Sequence, residues 1–307
     1  MQKLHGRKLK EGLFVYLMLA YPLLQFLIFY VGVNFNSVLL AFKKYDGGIY
    51  EFLPLSEMFS NFRRLADSLF ADDTLVYSTV NSVKLYLSGL LIGTPLNIIF
   101  AYCIYKKVPA AGFFRVILFL PAIISNIVLV LAFKYFVEYG IPYAAEELFG
   151  KTDMPILLRN EKTAFPLIIF FGIWSGFGSA LILYTNAMSK IPESLVEYGR
   201  LEGMGVGTEL RHLVFPFIYP TLTTYLVVGI AGFFTGQGAV FSIYGADAEQ
   251  YTYTLGYFFF IQVIGEKSSL AEYPFASAAG IIFTLIATPL TLGAKYLLER
   301  FGPSVQY

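Results

Sequence analysis

Six stretches of this chain are apolar over about 20 consecutive residues, the length that a helix needs to cross the hydrocarbon layer of a membrane. Because lipid offers backbone N–H and C=O groups no partners, these stretches are expected to be helices that satisfy their own hydrogen bonds. The chain is 57% hydrophobic and 14% charged, which is more apolar surface than one water-soluble core requires. We therefore predict an all-α polytopic membrane protein of about six transmembrane helices. The predicted spans cover residues 12–33, 83–105, 113–137, 164–188, 215–240 and 276–298.

The segment before the first span resembles the basic start of a secretory signal, with Lys3, Arg7, Lys8 and Lys10. The apolar stretch that follows is too long for a signal and has no small-residue cleavage site behind it, so a retained helix is predicted. No Pro- or Ser-rich linker and no internal repeat divides the chain. These features favour a single transmembrane domain over residues 1–307.

The charge distribution predicts that both termini lie in the cytoplasm. With that orientation, the inner segments carry twice as many basic as acidic residues. Acidic residues predominate in the three outer loops, at 34–82, 138–163 and 241–275, as the positive-inside rule requires. The inner loop at 189–214 is the exception, because its acidic residues outnumber its basic ones. A protein partner for this loop would explain the difference.

A short helix is predicted in this acidic inner loop, from about residue 192 to residue 202. Pro192 suits the start of a helix, where its missing N–H group is not needed, and Glu193 favours the positive end of the helix dipole. Glu193, Glu197 and Arg200 follow at helical spacing and form one charged edge. The loop therefore has a structured, charged element between two membrane spans.

The rest of the loop is apolar on one side and rich in glycine at its end. The opposite edge of the short helix carries Leu195, Tyr198 and Leu201. A sharp reversal is then permitted by Gly203, Gly205 and Gly207. Thr208 is expected to cap the next helix. Such a segment can serve as a docking site for a protein or as an amphipathic linker in the headgroup region, and composition alone leaves both interpretations open.

The spacing of residues in this loop resembles a known motif. The sequence Glu197-Tyr198-Gly199 is followed by Gly203 and, after nine residues, by Leu213-Val214-Phe215-Pro216. This spacing matches the E-A-A-x3-G-x9-I-x-L-P loop of the ABC importer permeases, the EAA motif. In this chain Tyr198 and Gly199 replace the two alanines, Glu202 replaces the usual Asp, and Leu213 and Phe215 replace the Ile and Leu.

Two further stretches narrow the resemblance. Residues 119–125, and Ile173-Trp174 together with Ile191-Pro192-Glu193, resemble the carbohydrate permeases related to the maltose and glycerol-phosphate importers. The resemblance covers most of residues 85–300. It implies the fold of a type I ABC importer permease and a role in the uptake of a sugar or oligosaccharide across the cell membrane.

The resemblance also implies a mechanism and a set of partners. In this family the loop acts as a coupling helix that docks in a groove of an ATPase subunit and transmits its closure to the membrane helices. The residues assigned to coupling on this basis are Glu193, Glu197, Tyr198, Gly199, Arg200, Glu202, Gly203 and Pro216. The expected partners are a second homologous permease, two ABC ATPase subunits that bind ATP and Mg²⁺, an extracytoplasmic solute-binding protein and lipid, but no nucleic acid.

The chain lacks the motifs of an enzyme. It has no G-x4-G-K-[ST] loop to hold nucleotide phosphates, so ATP hydrolysis is expected in a separate polypeptide. It also has no H-E-x-x-H or G-x-S-x-G sequence on a span. His5 and His212 lie in separate segments without a cysteine partner, so neither a metal site nor a cofactor within the chain is predicted. Cys103 is the single cysteine and cannot form an intrachain disulfide.

Polar and aromatic residues within the spans are candidates for the substrate path. Sugars are bound by amide and hydroxyl groups together with an aromatic face, and buried polar groups in lipid are functional suspects. The candidates are Asn126, Trp174, Ser175, Tyr184, Asn186, Tyr225, Thr235 and Gln237. The alternative is that Ser and Thr bond to their own helix and that Trp and Tyr sit at the membrane interface.

Glycine pairs at helical spacing predict close approach of helix backbones. These pairs are Gly89 and Gly93, Gly172 and Gly176, and Gly232 and Gly236. Ordinary packing within the chain explains them more simply than a dimer interface does.

Two other functions are compatible with the sequence. The chain could belong to an ABC importer for a non-sugar solute such as a peptide or an amino acid. It could also be a secondary transporter or a channel, although no ladder of carboxylates within the spans supports a proton-driven carrier.

The predicted topology can be tested with single cysteines in a Cys103→Ser background. Cysteines at Lys190 and Asp153 should react from opposite sides of the membrane, because the charge distribution places these residues in an inner and an outer loop. The measurement is labelling of intact cells by a membrane-impermeant thiol reagent. Labelling at both positions would contradict the orientation.

Overall fold

The computed structural model describes residues 2–264 and 269–303, so parts of the predicted loop at 241–275 and of the C-terminal segment lie outside the described residues. In the described part, helices account for nearly all regular structure, together with one two-stranded sheet. Six segments are long and apolar enough to cross a membrane, which confirms a polytopic all-α protein. They are Phe14–Leu40, Asp73–Tyr105, Asn126–Phe149, Glu161–Met188, Val206–Thr235 and Leu270–Phe301.

The elements follow one another in this order. The helices are α1 (Gln2–Gln25), α2 (Val33–Leu40), α3 (Ser60–Ala71), α4 (Asp73–Ser88), α5 (Thr94–Tyr105), α6 (Ala111–Ile123), α7 (Asn126–Tyr135), α8 (Ile141–Phe149), α9 (Glu161–Met188), α10 (Glu193–Leu201), α11 (Val206–Glu209), α12 (Phe215–Thr235), α13 (Val240–Tyr244), α14 (Leu255–Val263) and α15 (Tyr273–Phe301). The strands are β1 (Lys43–Asp46) and β2 (Ile49–Phe52).

Several spans are continuous helices that contain one wide π turn. Such turns join α4 to α5, α7 to α8 and α11 to α12, at Gly89–Gly93, Phe136–Gly140 and Leu210–Val214. Each turn ends two residues before a proline, namely Pro95, Pro142 and Pro216. Proline has no N–H group, and its ring clashes with the carbonyl four residues earlier, so a wider turn relieves the clash without ending the helix. A fourth π turn, Phe26–Gly32, joins α1 to α2 without a proline at that position.

The third span differs from the sequence prediction of one helix over 113–137. Helix α6 ends at Ile123, Ile124 is in an extended conformation with ψ 140°, and α7 begins at Asn126. Pro121 lies two residues before the end of α6 and removes one hydrogen-bond donor from its last turn. The candidate span in this region is therefore Asn126–Phe149, and α6 is a shorter apolar helix.

The chain divides into two compact units, of which the first comprises residues 1–67 and 268–282. Its hairpin turns at Gly47 and Gly48, whose φ angles of +55° and +104° suit a tight turn between twisted strands. The Tyr50 hydroxyl on β2 donates a hydrogen bond of 2.9 Å to the Leu270 carbonyl oxygen. The prediction of a single permease domain over the whole chain stays a prediction.

The second unit comprises residues 68–267 and 283–307 and is organised around α9. Helix α9 packs against α5, α6 and α12. The buried core lies where α5, α9 and the start of α12 meet, and Tyr184, Met188, Val214 and Ile218 are at most 1% exposed. This core holds both α5 and α12 against α9.

Buried hydroxyl and amide groups hold the segment between α12 and α14 in the same unit. The Tyr244 hydroxyl donates to the Leu158 carbonyl at 2.7 Å, and the Tyr257 hydroxyl donates to the Gly245 carbonyl at 2.8 Å. Asn81 on α4 donates to two backbone carbonyls of the segment before α14, at 2.8 and 3.0 Å. Burial raises the pKa of Tyr257 to about 12, so its hydroxyl remains a donor well above neutral pH.

Candidate functional site

The loop between α9 and α12 contains the predicted short helix. Helix α10 (Glu193–Leu201) begins after Pro192, with Glu193 in its first turn and Arg200 in its last turn. The helix dipole stabilises the negative charge at the N-terminal end and the positive charge at the C-terminal end. The predicted helix over 192–202 is therefore confirmed to within one residue at each end.

Helix α10 ends in a motif that requires glycine at one position. Gly203 has a φ of +70°, in the left-handed region that residues with a Cβ atom disfavour. The Met204 N–H donates to the Gly199 carbonyl at 2.9 Å, and the Gly203 N–H donates to the Arg200 carbonyl at 3.1 Å. These two bonds form a Schellman motif, which satisfies the carbonyl groups at the end of the helix. Gly203 therefore fixes the direction in which the chain leaves α10.

Gly199 has a different function in the same motif. It is buried, and a Cβ atom placed on it would lie 3.3 Å from Met204 Cε. The Met204 side chain thus covers the last turn of α10. Gly205, by contrast, is extended with a φ of −76°, and α11 begins at Val206, so Thr208 lies inside α11 and is not its cap.

The outward side of α10 combines charged and apolar groups. Glu193, Glu197 and Arg200 are all exposed. The neighbouring apolar edge is also exposed, with Tyr198 at 62% and Leu201 at 87%. Within the described chain, both edges predicted for this helix are therefore exposed and can contact the surface of a partner.

An ion pair connects this loop to α5. It was not predicted from the sequence. Lys106 Nζ, at the end of α5, lies 2.8 Å and 2.9 Å from the two carboxylate oxygens of Glu209 on α11. The Glu209 side chain is only 11% exposed and the Lys106 side chain 23%. The two residues are 103 positions apart, so no local pattern in the sequence indicates the pair.

The proline of the loop motif determines how the loop joins the fifth span. Pro216 lies in the first turn of α12, and the π turn Leu210–Val214 immediately precedes this helix. Within this turn Val214 is fully buried in the core. The loop is therefore continuous with α12 through a widened helical turn, with no flexible linker between them.

A cavity of about 470 Å³ lies within the second unit, between residues of α4, α5, α7, α9, α12 and α13. Its polar lining consists of uncharged side chains, and none of the described residues that line it is acidic or basic. These polar residues are Ser82, Tyr86, Thr94, Asn97, Asn126, Ser175, Tyr184, Tyr225 and Ser242. The Tyr184 and Tyr225 rings are stacked with centroids 5.9 Å apart, which gives the cavity one aromatic wall.

Four of the eight residues predicted for the substrate path line this cavity, namely Asn126, Ser175, Tyr184 and Tyr225. The other four, Trp174, Asn186, Thr235 and Gln237, are not among its lining residues. Trp174 instead packs with Phe171, at a centroid distance of 6.0 Å. The participation of all eight in transport stays a prediction.

Asn97 is a lining residue that sequence reasoning missed. It is 8% exposed, its amide nitrogen donates to the Gly93 carbonyl at 2.9 Å, and its Oδ1 accepts no hydrogen bond within the described chain. An asparagine in the middle of an apolar span was the signal that could have identified it.

Most of the paired glycines do not form the predicted contacts between helices, and the exception is Gly93, where a Cβ atom would lie 3.6 Å from Ile173 Cγ1 on α9. A Cβ atom placed on Gly89, Gly172, Gly176 or Gly232 would meet no atom of the described chain within 4 Å. All four line the cavity, so the absence of their side chains provides volume. The close approach occurs at Gly178, where a Cβ atom would lie 2.9 Å from Ala122 Cβ on α6.

Comparison with known proteins identifies relatives along almost the whole chain. The profile of a family described as binding-protein-dependent transport system inner membrane component matches residues 89–306, well over half of the chain. The multiple sugar-binding transport system permease protein MsmF of Streptococcus mutans is 22% identical over 295 residues, which cover 96% of this chain and 98% of that protein.

Two solved structures share the fold. One is a bacterial ABC transporter involved in the import of the acidic polysaccharide alginate, with a TM-score of 0.79 at 22% identity over 96% of this chain and 98% of that chain. The other is a bacterial alginate ABC transporter in complex with an alginate pentasaccharide-bound periplasmic protein. Its TM-score is 0.76 at 20% identity, over 98% of this chain and 99% of that chain.

The different surroundings of two glycines on α9 predict opposite effects on stability. Gly176→Ala should keep or raise the free energy of unfolding, by about 0.5–1 kcal/mol, because its methyl group enters open space in a helix interior. Gly178→Ala should lower it by about 1–3 kcal/mol, because the methyl group forces α6 and α9 apart. Thermal unfolding of the two variants in detergent measures the difference. Equal melting temperatures would contradict the assignment of Gly176 to the cavity and of Gly178 to the contact with α6.

Proposed function

This chain belongs to the family of binding-protein-dependent transport system inner membrane components, and we propose that it is the permease subunit of an ATP-driven importer for a sugar or oligosaccharide. Membership of this family makes it a multi-pass membrane transport component and not an enzyme. The proposed location is the cell membrane, with both termini in the cytoplasm, in agreement with the excess of basic residues in the inner segments.

The proposal for energy coupling rests on α10 and its glycine end. An exposed helix with adjacent charged and apolar edges suits insertion into a groove of an ATPase subunit. The Schellman motif at Gly203 holds this helix in one orientation. The continuous connection into α12 gives the loop a rigid path to the membrane helices. Two ATPase subunits would bind ATP and Mg²⁺, since this sequence lacks a phosphate-binding loop.

The cavity is the proposed half of the substrate path that this chain supplies. Hydroxyl and amide groups suit the hydrogen bonds of a sugar, and the stacked Tyr184 and Tyr225 rings suit its apolar face. Asn97 Oδ1 would accept a hydrogen bond from a sugar hydroxyl. The name of the S. mutans relative and the alginate importers with the same fold support a carbohydrate cargo.

Two further partners complete the proposed importer. A second, homologous permease would supply the other half of the path, so that the solute crosses between the two chains by alternating access. A solute-binding protein would deliver the cargo on the outer side. The description of the family as binding-protein-dependent supports this partner, as does the alginate transporter that was solved with its periplasmic protein.

The coupling role predicts loss of function from two substitutions in the loop. Gly203→Val should displace α10, because a β-branched residue at a φ of +70° is strained by about 1–3 kcal/mol. Glu197→Ala should remove a charge-assisted contact with the ATPase. Both variants should insert and pair with the second permease, but lose ATPase association or uptake. The measurements are co-purification of the ATPase and ATP-dependent uptake in proteoliposomes.

Gly205→Val is the matched control for this experiment. It places the same side chain two residues further on, at an extended position where no described atom lies within 4 Å of a Cβ atom. This control should retain uptake. Full uptake and normal ATPase retention in Gly203→Val would overturn the coupling role and favour the interfacial linker.

The cavity predicts a separate effect on cargo affinity. Asn97→Leu should raise the KM for sugar uptake about 2–10-fold, the effect of one lost neutral hydrogen bond, and leave ATPase co-purification unchanged. Thr185→Val is a suitable control, because that hydroxyl donates to the Leu181 carbonyl of its own helix and does not line the cavity. An unchanged KM in Asn97→Leu would remove this residue from the path.

A further inference from the structure

The ion pair between Lys106 and Glu209 joins the two functional elements of the chain. Glu209 lies six residues beyond Gly203, in the same loop as α10, and Lys106 directly follows α5. Helix α5 also carries Thr94 and Asn97, which line the cavity. We propose that this pair is a positioning device that transmits movement of the loop at 189–214, here called the docking loop, to the cavity wall. The inference rests on the coupling function proposed for the loop.

The contacts of Lys106 hold its ammonium group in a defined position. Both carboxylate oxygens of Glu209 accept hydrogen bonds from the single ammonium group of Lys106, at 2.8 and 2.9 Å. The ammonium group also lies 5.9 Å from the centre of the Tyr102 ring on the preceding turn of α5. At the C-terminal end of α5, its positive charge is favoured by the helix dipole. The ammonium group is thereby held against the end of the helix.

The backbone that follows Lys106 limits how far this residue can move independently of α5. The next residue, Lys107, has a φ of +52°, and Ala110 has a φ of +63°, so the chain turns away from α5 immediately. A displacement of Lys106 therefore displaces α5 itself. From Asn97 to Lys106 is nine residues, about 14 Å along a rigid helix at 1.5 Å per residue. A shift of the loop would thus change the position of the cavity wall directly.

Burial distinguishes this pair from the exposed ion pairs of the same chain. Lys295 and Glu299 on α15 are 53% and 59% exposed and 3.8 Å apart, whereas the Glu209 side chain is 11% exposed. Exposed pairs of this kind contribute little, because water screens them and their side chains remain mobile. A mostly buried carboxylate depends on its partner, because the removal of either residue leaves a charge without compensation. The pair is therefore suited to keep the loop and α5 together during a conformational change.

The test is the amount of sugar transported per ATP hydrolysed by the complete importer in proteoliposomes. The variants are Lys106→Met, Glu209→Gln and the double variant Lys106→Met/Glu209→Met, which removes both charges and avoids an unpaired one. Each should still co-purify with the ATPase, because α10 and Gly203 are unchanged. The ratio of transport to hydrolysis should fall about tenfold, the size of effect that changes in coupling elements produce.

Charge reversal provides the rescue. Lys106→Glu/Glu209→Lys should restore much of the transport ratio, whereas Lys106→Glu alone should not. The controls are Glu299→Gln, which breaks the exposed pair on α15, and Lys107→Met, which removes the adjacent exposed charge. Both controls should retain the normal ratio.

Three outcomes for the transport ratio would overturn the inference. They are a normal transport ratio in the double neutral variant, an equal loss in the Lys107→Met control, and a failure of charge reversal to restore a variant that folds and binds the ATPase. Loss of ATPase co-purification in Lys106→Met would also overturn it, because the pair would then shape the docking surface and not transmit its movement. The docking function itself is decided separately, by Gly203→Val and its Gly205→Val control.

Discussion

Every backbone N–H group within lipid must find its acceptor inside the protein. The proline residues of this chain interrupt the helical hydrogen bonds at particular positions, so the requirement has to be met there by a change in the helix. Pro95, Pro142 and Pro216 each lie two residues after a π turn, so the helices widen where a regular turn would clash with the ring. The spans thereby remain continuous despite their prolines. Two of these turns border the candidate site, one in the cavity wall before α5 and one between α11 and α12.

Glycine has three physically distinct functions in the same unit. At Gly203 it allows a backbone conformation, with a φ of +70°, which ends α10. At Gly178 it allows two helices to touch, and at Gly176 it leaves space for the cavity. Residue type alone does not separate these functions, because all three depend on what faces the glycine. The spacing of glycines along a span therefore indicates a helix face but not what that face meets.

Local patterns predicted much of the fold, whereas contacts between distant residues could not be predicted. Runs of apolar residues indicated six spans, and the pattern from Pro192 to Gly203 indicated α10 and its end. The break after Pro121 was missed because the residues on both sides are equally apolar. The hairpin signal Asp46-Gly47-Gly48 was present in the sequence but was not used. The pair of Lys106 with Glu209 needed the tertiary structure, which alone brings α5 and α11 together.

The orientation of the Asn97 amide has a consequence for selectivity at the cavity wall. Its nitrogen donates to the Gly93 carbonyl at 2.9 Å, so Oδ1 is the amide atom that has no partner within the described chain. A ligand that carries a hydroxyl or N–H group can satisfy this acceptor, whereas an apolar ligand that displaces water from it leaves it without a hydrogen bond. In the importer proposed here, the cavity wall would therefore discriminate against apolar solutes as well as bind hydroxylated ones.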